Sequence, residues 1–175
     1  MSGKILIVDD EPTIRETLSL VLKEEKYECD LAENGAEGLK RVKEKNFDLI
    51  ITDLKMPEMG GLELMEKVKT ISPKTSVMII TAYASLESAI QALRLGAYDY
   101  IIKPLDFDDV ILRIKRLMEH RELLNENEYL RKEVQEKFSV SNIIGESEPM
   151  QDVFNLIRKV AATKGNVLIT GKSEG

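Results

Sequence analysis

The stretch Ile5-Leu6-Ile7-Val8-Asp9-Asp10-Glu11-Pro12 decides the fold. Four consecutive apolar residues suit either a strand buried on both faces or a piece of buried helix. The acidic run and Pro12 separate the two readings, because proline can open a helix but cannot continue a strand. Ile14, Leu18, Val21 and Leu22 then recur at helical spacing and make one apolar face. The unit is a buried strand, a polar turn and an amphipathic helix.

Working outward, the unit repeats. Cys29 to Ala32 reads as a second strand, Asn34-Gly35 as a turn, and Leu39 and Val42 as a helix face. Leu49-Ile50-Ile51-Thr52 is a third strand, followed by Met56-Pro57-Glu58-Met59-Gly60-Gly61 and a helix carrying Leu62, Met65 and Val68. Val77 to Ile80 is a fourth strand, after which Ile90, Leu93 and Leu86 are expected to face inward. Tyr100-Ile101-Ile102 is the fifth. Five strands, the second weaker than the rest, alternating with helices predict an α/β chain: a (βα)5 parallel sheet covered by helices on both faces.

The totals bound the function. A formal net charge of -6 argues against a dedicated nucleic-acid face, which needs clustered Lys and Arg. The single cysteine, Cys29, excludes an intramolecular disulfide and fits a reducing compartment. Cys29 itself is expected to be a small core residue. No apolar run approaches the roughly 20 residues of a membrane span. The N-terminus lacks the apolar core of a secretory signal, so a cytoplasmic protein without membrane contact is expected. His120 is the only histidine, which excludes a histidine kinase in cis and a multi-histidine metal site.

In open parallel sheets, ligands bind where the strands' carboxyl ends meet the loops. Asp9 and Asp10 follow the first strand, Asp53 the third, Thr81 the fourth and Lys103 the fifth. Taken alone, Asp10 also fits a helix N-cap, Thr81 an ordinary strand end and Lys103 a solvated surface lysine. Their coincidence at strand ends points to one site. Crowded carboxylates repel unless a cation joins them, and oxygen ligands suit Mg²⁺. A metal beside a lysine would neutralise an incoming phosphoryl group. A phosphohydrolase of the haloacid-dehalogenase type needs a second Asp two residues after its nucleophile, where this chain has Lys55.

These residues resemble the receiver domains of bacterial two-component response regulators over about residues 3 to 120. The likeness rests on Val8-Asp9-Asp10-Glu11, Asp53-Leu54-Lys55-Met56-Pro57 with Gly60-Gly61, Thr81-Ala82 and Tyr100-Ile101-Ile102-Lys103-Pro104. The resemblance implies a flavodoxin-like, doubly wound sheet of order 2-1-3-4-5. It implies that Asp53 accepts a phosphoryl group from a sensor histidine kinase. Asp10, Asp53 and the backbone carbonyl of Lys55 would ligate Mg²⁺, and Asp9 would hold a metal-bound water. Lys103 would pair with phosphoryl oxygens. Thr81 would bond the phosphoryl group, and Tyr100 would rotate into the vacated space. Met56 and Met59 would be packing residues, and the Lys103-Pro104 peptide would be cis. The alternative is a stand-alone receiver that signals by binding a target directly.

From Asp106, a plausible N-cap, to about Lys137 the chain has no Gly and no Pro. That predicts a helix of ~45 Å at ~1.5 Å per residue, more than one sheet needs. Leu123, Asn127, Leu130 and Val134, spaced 4, 3 and 4 apart, read as a coiled-coil seam in this linker, residues 106–137. Asn127 in the seam would favour a parallel homodimer in fixed register, with Glu126 facing the partner's Arg131. The competing reading is a solvated connecting helix.

Beyond Phe138, Ile144-Gly145-Glu146-Ser147, Met150, Val153-Phe154 and Val167-Leu168-Ile169-Thr170-Gly171 resemble the opening of the AAA+ ATPase domain in NtrC-type activators of sigma-54 RNA polymerase. Residues 138–175 are therefore expected to be the truncated start of such a domain, following a receiver at 1–120. Gly171-Lys172-Ser173 mimics the end of a phosphate-binding loop, but position 166, where that pattern needs glycine, holds Asn166. The chain is expected not to hydrolyse ATP, although the full-length protein would. Contacts with the polymerase and DNA would come only through domains missing here.

Overall fold

Val8 ends a strand and Pro12 stands at the first turn of a helix, as the opening stretch requires. The computed structural model describes residues 3–137, 147–161 and 168. In chain order the elements are β1 (Lys4–Val8), α1 (Pro12–Glu24), β2 (Glu28–Ala32), α2 (Gly35–Glu44), β3 (Leu49–Thr52), α3 (Gly61–Ile71), β4 (Ser76–Thr81), α4 (Leu86–Arg94), β5 (Asp99–Ile102), α5 (Phe107–Lys137) and α6 (Glu148–Ala161). The five strands form one parallel sheet of order β2-β1-β3-β4-β5. The expected sheet and its order are present.

Alternation within the strands builds two cores. Leu6, Val8, Ile50, Val77 and Ile79 point to one face and pack with Leu64, Met65 and Val68 of α3, Val42 of α2 and Ala92 of α4. Ile5, Ile7, Leu49, Ile51, Met78 and Ile80 point to the other and pack with Leu18 and Leu22 of α1 and Val110, Ile114 and Leu117 of α5. Burial on both faces is why these strands read as unbroken apolar runs.

Three local readings change. Asn34-Gly35 is not a free turn but the start of α2, where the Asn34 side chain accepts the Glu37 N–H at 2.9 Å. Asp10 does not cap α1. Glu11 occupies that position, without a side-chain cap bond. Leu86, Ile90 and Leu93 do not face inward: they are 78%, 40% and 64% exposed, and Ala92 is the buried residue of α4. On a nine-residue helix that buries only a small side chain, the larger apolar groups are turned to the outside. Cys29 packs against the second core while only partly buried, and burial raises its thiol pKa to about 11.

The chain divides into two compact units, Met1–His120 and Arg121–Gly175, with the division falling inside α5. Asp106 caps α5 by accepting the Asp108 N–H at 3.0 Å. In the second unit α6 forms where Met150, Val153, Phe154 and Ile157 predict a helix. Phe154 is buried, whereas Val153 is 45% exposed. The strand reading of Val167–Ile169 and the phosphate-loop-like Gly171-Lys172-Ser173 lie outside the described residues, Leu168 apart. Among the described residues no helix is long and apolar enough to cross a membrane.

Candidate functional site

β1 and β3 are neighbours in register, Val8 beside Thr52, so the residues that leave each strand emerge side by side. Those residues are Asp9, Asp10 and Asp53. One carboxylate oxygen of each can be gathered with all three atoms within 4.8 Å of one another. Asp9 and Asp53 are buried and Asp10 is exposed, so the cluster opens to solvent on one side.

Backbone and lysine share the two buried carboxylates. Oδ1 of Asp9 accepts the Glu11 N–H at 2.9 Å, and Oδ1 of Asp53 accepts the N–H groups of Leu54 and Lys55. Lys103, delivered by the end of β5, donates to Oδ2 of both at 3.0 Å. The Lys103-Pro104 peptide is cis. Lys103 also reaches Oε1 of Glu11 at 3.1 Å. Burial works against the Lys103 charge, but its bonds to Asp53, Asp9 and Glu11 together outweigh that and hold its pKa above the ordinary value. For Asp9 burial dominates and raises the carboxyl pKa, despite the Glu11 N–H and Lys103.

The loop between β3 and α3 is shaped by glycine. A Cβ on Gly61 would lie 2.1 Å from the Asp53 carbonyl oxygen, and one on Gly35 would lie 2.5 Å from that of Met59. Gly61 N–H donates to the Leu54 carbonyl at 3.0 Å. The chain can therefore turn back on itself directly after Asp53. Met56 and Met59 pack against the core, as the family resemblance implies.

Thr81 ends β4, fully buried, and its Oγ1 accepts the Tyr83 N–H at 3.0 Å. The Tyr83 ring lies under the Lys55 ammonium, 4.4 Å from its centroid. Tyr100 is partly buried, with its hydroxyl 2.9 Å from Ser88 Oγ. The structure thus gathers the carboxylates of Asp9, Asp10 and Asp53, bonds Lys103 to Asp9 and Asp53, and places Thr81 at the end of the next strand, β4.

Sequence reasoning missed three residues here. Glu11 lies within the quoted motif, but its bond to Lys103 spans 92 positions and has no local signal. Tyr83 and Ser88 sit in a polar stretch whose contacts depend on how the β4–α4 loop folds.

Asp9, Asp53 and Glu11 share the Lys103 ammonium and Asp10 adds a further carboxylate to the cluster, an excess of negative charge that a divalent cation with oxygen preference would offset. The donor set therefore fits Mg²⁺. Asp9→Asn is expected to stabilise the metal-free protein, since it removes a buried charge while Lys103 keeps two partners. Because the folded-state pKa of Asp9 is raised, the wild type bears this penalty only when pH rises through that pKa. The variant's advantage should grow from acid to neutral pH and shrink when Mg²⁺ is added. Thermal melts at several pH values check both trends.

Together these features define a doubly wound α/β protein with an acidic, lysine-bridged pocket at its carboxyl edge. The model of the response regulator receiver domain matches residues 5–115, and the chain belongs to that family. The DNA-binding transcriptional regulator NtrC of Escherichia coli is 35% identical over 98% of this chain and 36% of its own length. The chain spans under two-fifths of the length of the curated relatives it matches. Response regulator protein TrrA of Thermotoga maritima, solved with Mg(2+)-BeF, shares 39% identity at TM-score 0.61, covering 67% of this chain and 99% of its own. NtrX of Brucella abortus, solved with ADP, shares 30% identity at TM-score 0.68, covering 93% of this chain and 35% of its own.

Proposed function

We propose that residues 1–120 are a phosphorylation-dependent input module in which Asp53 takes a phosphoryl group from a sensor histidine kinase. The observation that carries this reading is the convergence of Asp9, Asp10 and Asp53 within 4.8 Å, with Lys103 bridging two of them. An Asp53 carboxylate oxygen attacks phosphorus as the bond to the donor nitrogen breaks. The electron pair leaves with the imidazole, which takes up a proton. Asp10, Asp53 and the Lys55 carbonyl would hold Mg²⁺, with Asp9 acting through water. When bound, the ion supplies charge neutralisation for the phosphoryl oxygens. Lys103 moves from its carboxylate partners to a phosphoryl oxygen. Thr81 then donates to the same group, and Tyr100 follows into the space left behind. Mg(2+)-BeF bound to TrrA supports the metal and phosphoryl roles by likeness.

The output runs along α5. Leu123 and Leu130 are 64% and 50% exposed and Asn127 is exposed, which suits a seam awaiting a second copy. The Val134 side chain lies outside the described residues. The chain's own catalysis is confined to gaining and losing its phosphoryl group. A cytoplasmic location, an AAA+ ATPase domain beginning in residues 138–175, and sigma-54 polymerase and DNA reached through further domains complete the reading. Likeness to the DNA-binding transcriptional regulator NtrC, and to NtrX with its bound ADP, supports it. The test is sedimentation with and without Mg²⁺ and beryllofluoride. A change in dimer strength or shape is expected, and identical profiles would remove the link between the pocket and the seam.

A further inference from the structure

α4 is weakly held by packing. Ala92 is its buried residue, while Leu86 and Leu93 are mostly exposed. Polar contacts at its N-terminus therefore carry unusual weight, and they converge on one atom. Ser88 Oγ accepts the Ser85 N–H at 3.1 Å, donates to the Ser85 carbonyl at 3.0 Å, and lies 3.0 Å from Ser85 Oγ. It is also 2.9 Å from the Tyr100 hydroxyl. A serine hydroxyl has one proton and two lone pairs, so four neighbours compete for three bonding positions.

We propose that Ser88 is the positioning residue through which Tyr100 sets the start of α4. This rests on the phospho-acceptor reading and extends it to a residue outside the pocket. In the arrangement seen, the Thr81 hydroxyl is engaged by the Tyr83 N–H and the Tyr100 hydroxyl by Ser88. When Thr81 turns to the phosphoryl group and Tyr100 follows, the Ser88 bond must break. Ser85 Oγ stands ready to take the vacated lone pair, so Ser88 is not left unsatisfied. The oversubscribed oxygen makes the junction switchable, not merely strong. The bond favours the arrangement seen and opposes phosphoryl engagement, and its release frees the helix start.

Calorimetric titration of the whole chain with Mg²⁺ and beryllofluoride tests this, with circular dichroism confirming folding. Ser88→Ala and Tyr100→Phe should each tighten binding by the same factor, roughly three- to tenfold, the range set by one net hydrogen bond. The double variant should bind no tighter than either single, because both remove the same bond. Ser88→Thr, which keeps the hydroxyl, should restore the wild-type affinity. Ser85→Ala removes the hydroxyl that competes with Tyr100 and replaces it on Ser88, so it should weaken binding rather than tighten it. Effects of Ser88→Ala and Tyr100→Phe that add, or a Tyr100→Phe protein with unchanged affinity, would overturn the proposal and reduce Ser88 to a helix cap. If Ser88→Ala does not fold, Tyr100→Phe and Ser88→Thr still decide. A wild type that binds no better than Asp53→Asn would instead sink the phospho-acceptor reading itself, and this proposal with it.

Discussion

Asp53→Asn is expected to abolish phosphoryl uptake, a loss on the order of a thousandfold or more. The carboxylate supplies both the attacking oxygen and part of the negative charge that would hold Mg²⁺. An amide is a poor nucleophile and a weaker metal ligand. The change is otherwise conservative: Asn keeps an oxygen able to accept the Leu54 and Lys55 N–H groups that Oδ1 of Asp53 now accepts. Lys103 keeps Asp9 and Glu11 as partners. The fold should therefore survive, and the loss can be assigned to chemistry. Intact-mass spectrometry after incubation with Mg²⁺ and a small acyl phosphate provides the readout. Wild type should show a phosphoryl adduct and the variant none. An adduct of similar yield on the variant would mean that the acceptor is another residue.

Gly61→Ala should be the costliest single-methyl change among the glycines flanking the pocket. The added Cβ would sit 2.1 Å from the Asp53 carbonyl oxygen and 3.1 Å from Thr52 Oγ1. The first obstacle is backbone, so no rotamer change can relieve it. Either the first turn of α3 or the peptide after Asp53 must shift, and the expected cost is about 3 kcal/mol. Gly96 makes the useful contrast. Its φ of +82° is a left-handed conformation, yet the nearest atom to an added Cβ is Lys69 Cε at 4.0 Å. Gly96→Ala should therefore cost only about 1 kcal/mol, from conformational strain. Urea denaturation of both variants measures the difference. A Gly61→Ala loss no greater than that of Gly96→Ala would show that the loop yields without resistance. Because the obstacle is the Asp53 peptide itself, Gly61→Ala should also weaken beryllofluoride binding, whereas Gly96→Ala should not.

The strands were the most legible part of the chain. Ile5–Val8, Leu49–Thr52 and Val77–Ile80 are buried on both faces, so composition alone marks them. Helices packed over the centre of the sheet were nearly as clear, as with Leu18 and Leu22 in α1. α4 was not. Leu86, Ile90 and Leu93 have the spacing of an inward face, but periodicity says only that they share a side, not which side meets the sheet. The pocket followed the same division. Asp9, Asp10, Asp53 and Lys103 could be assigned to strand ends, and adjacent parallel strands bring such ends together. Glu11 could not be matched to Lys103, because a contact across 92 positions depends on where the lysine side chain finally lies.

The sequence by itself determined the alternation of strands and helices, the parallel sheet, and the set of acidic and basic residues at its carboxyl edge. Those features rest on local rules: apolar runs, helical spacing, and the turn chemistry of proline and glycine. Only the tertiary structure decided how the charges are shared. It placed one ammonium against Asp9, Asp53 and Glu11, turned the larger side chains of α4 outward, and tied Tyr100 to the start of that helix through Ser88. These outcomes depend on distances between residues far apart in the chain. Burial and competition for a few hydrogen-bonding positions choose among partners that local pattern leaves equivalent.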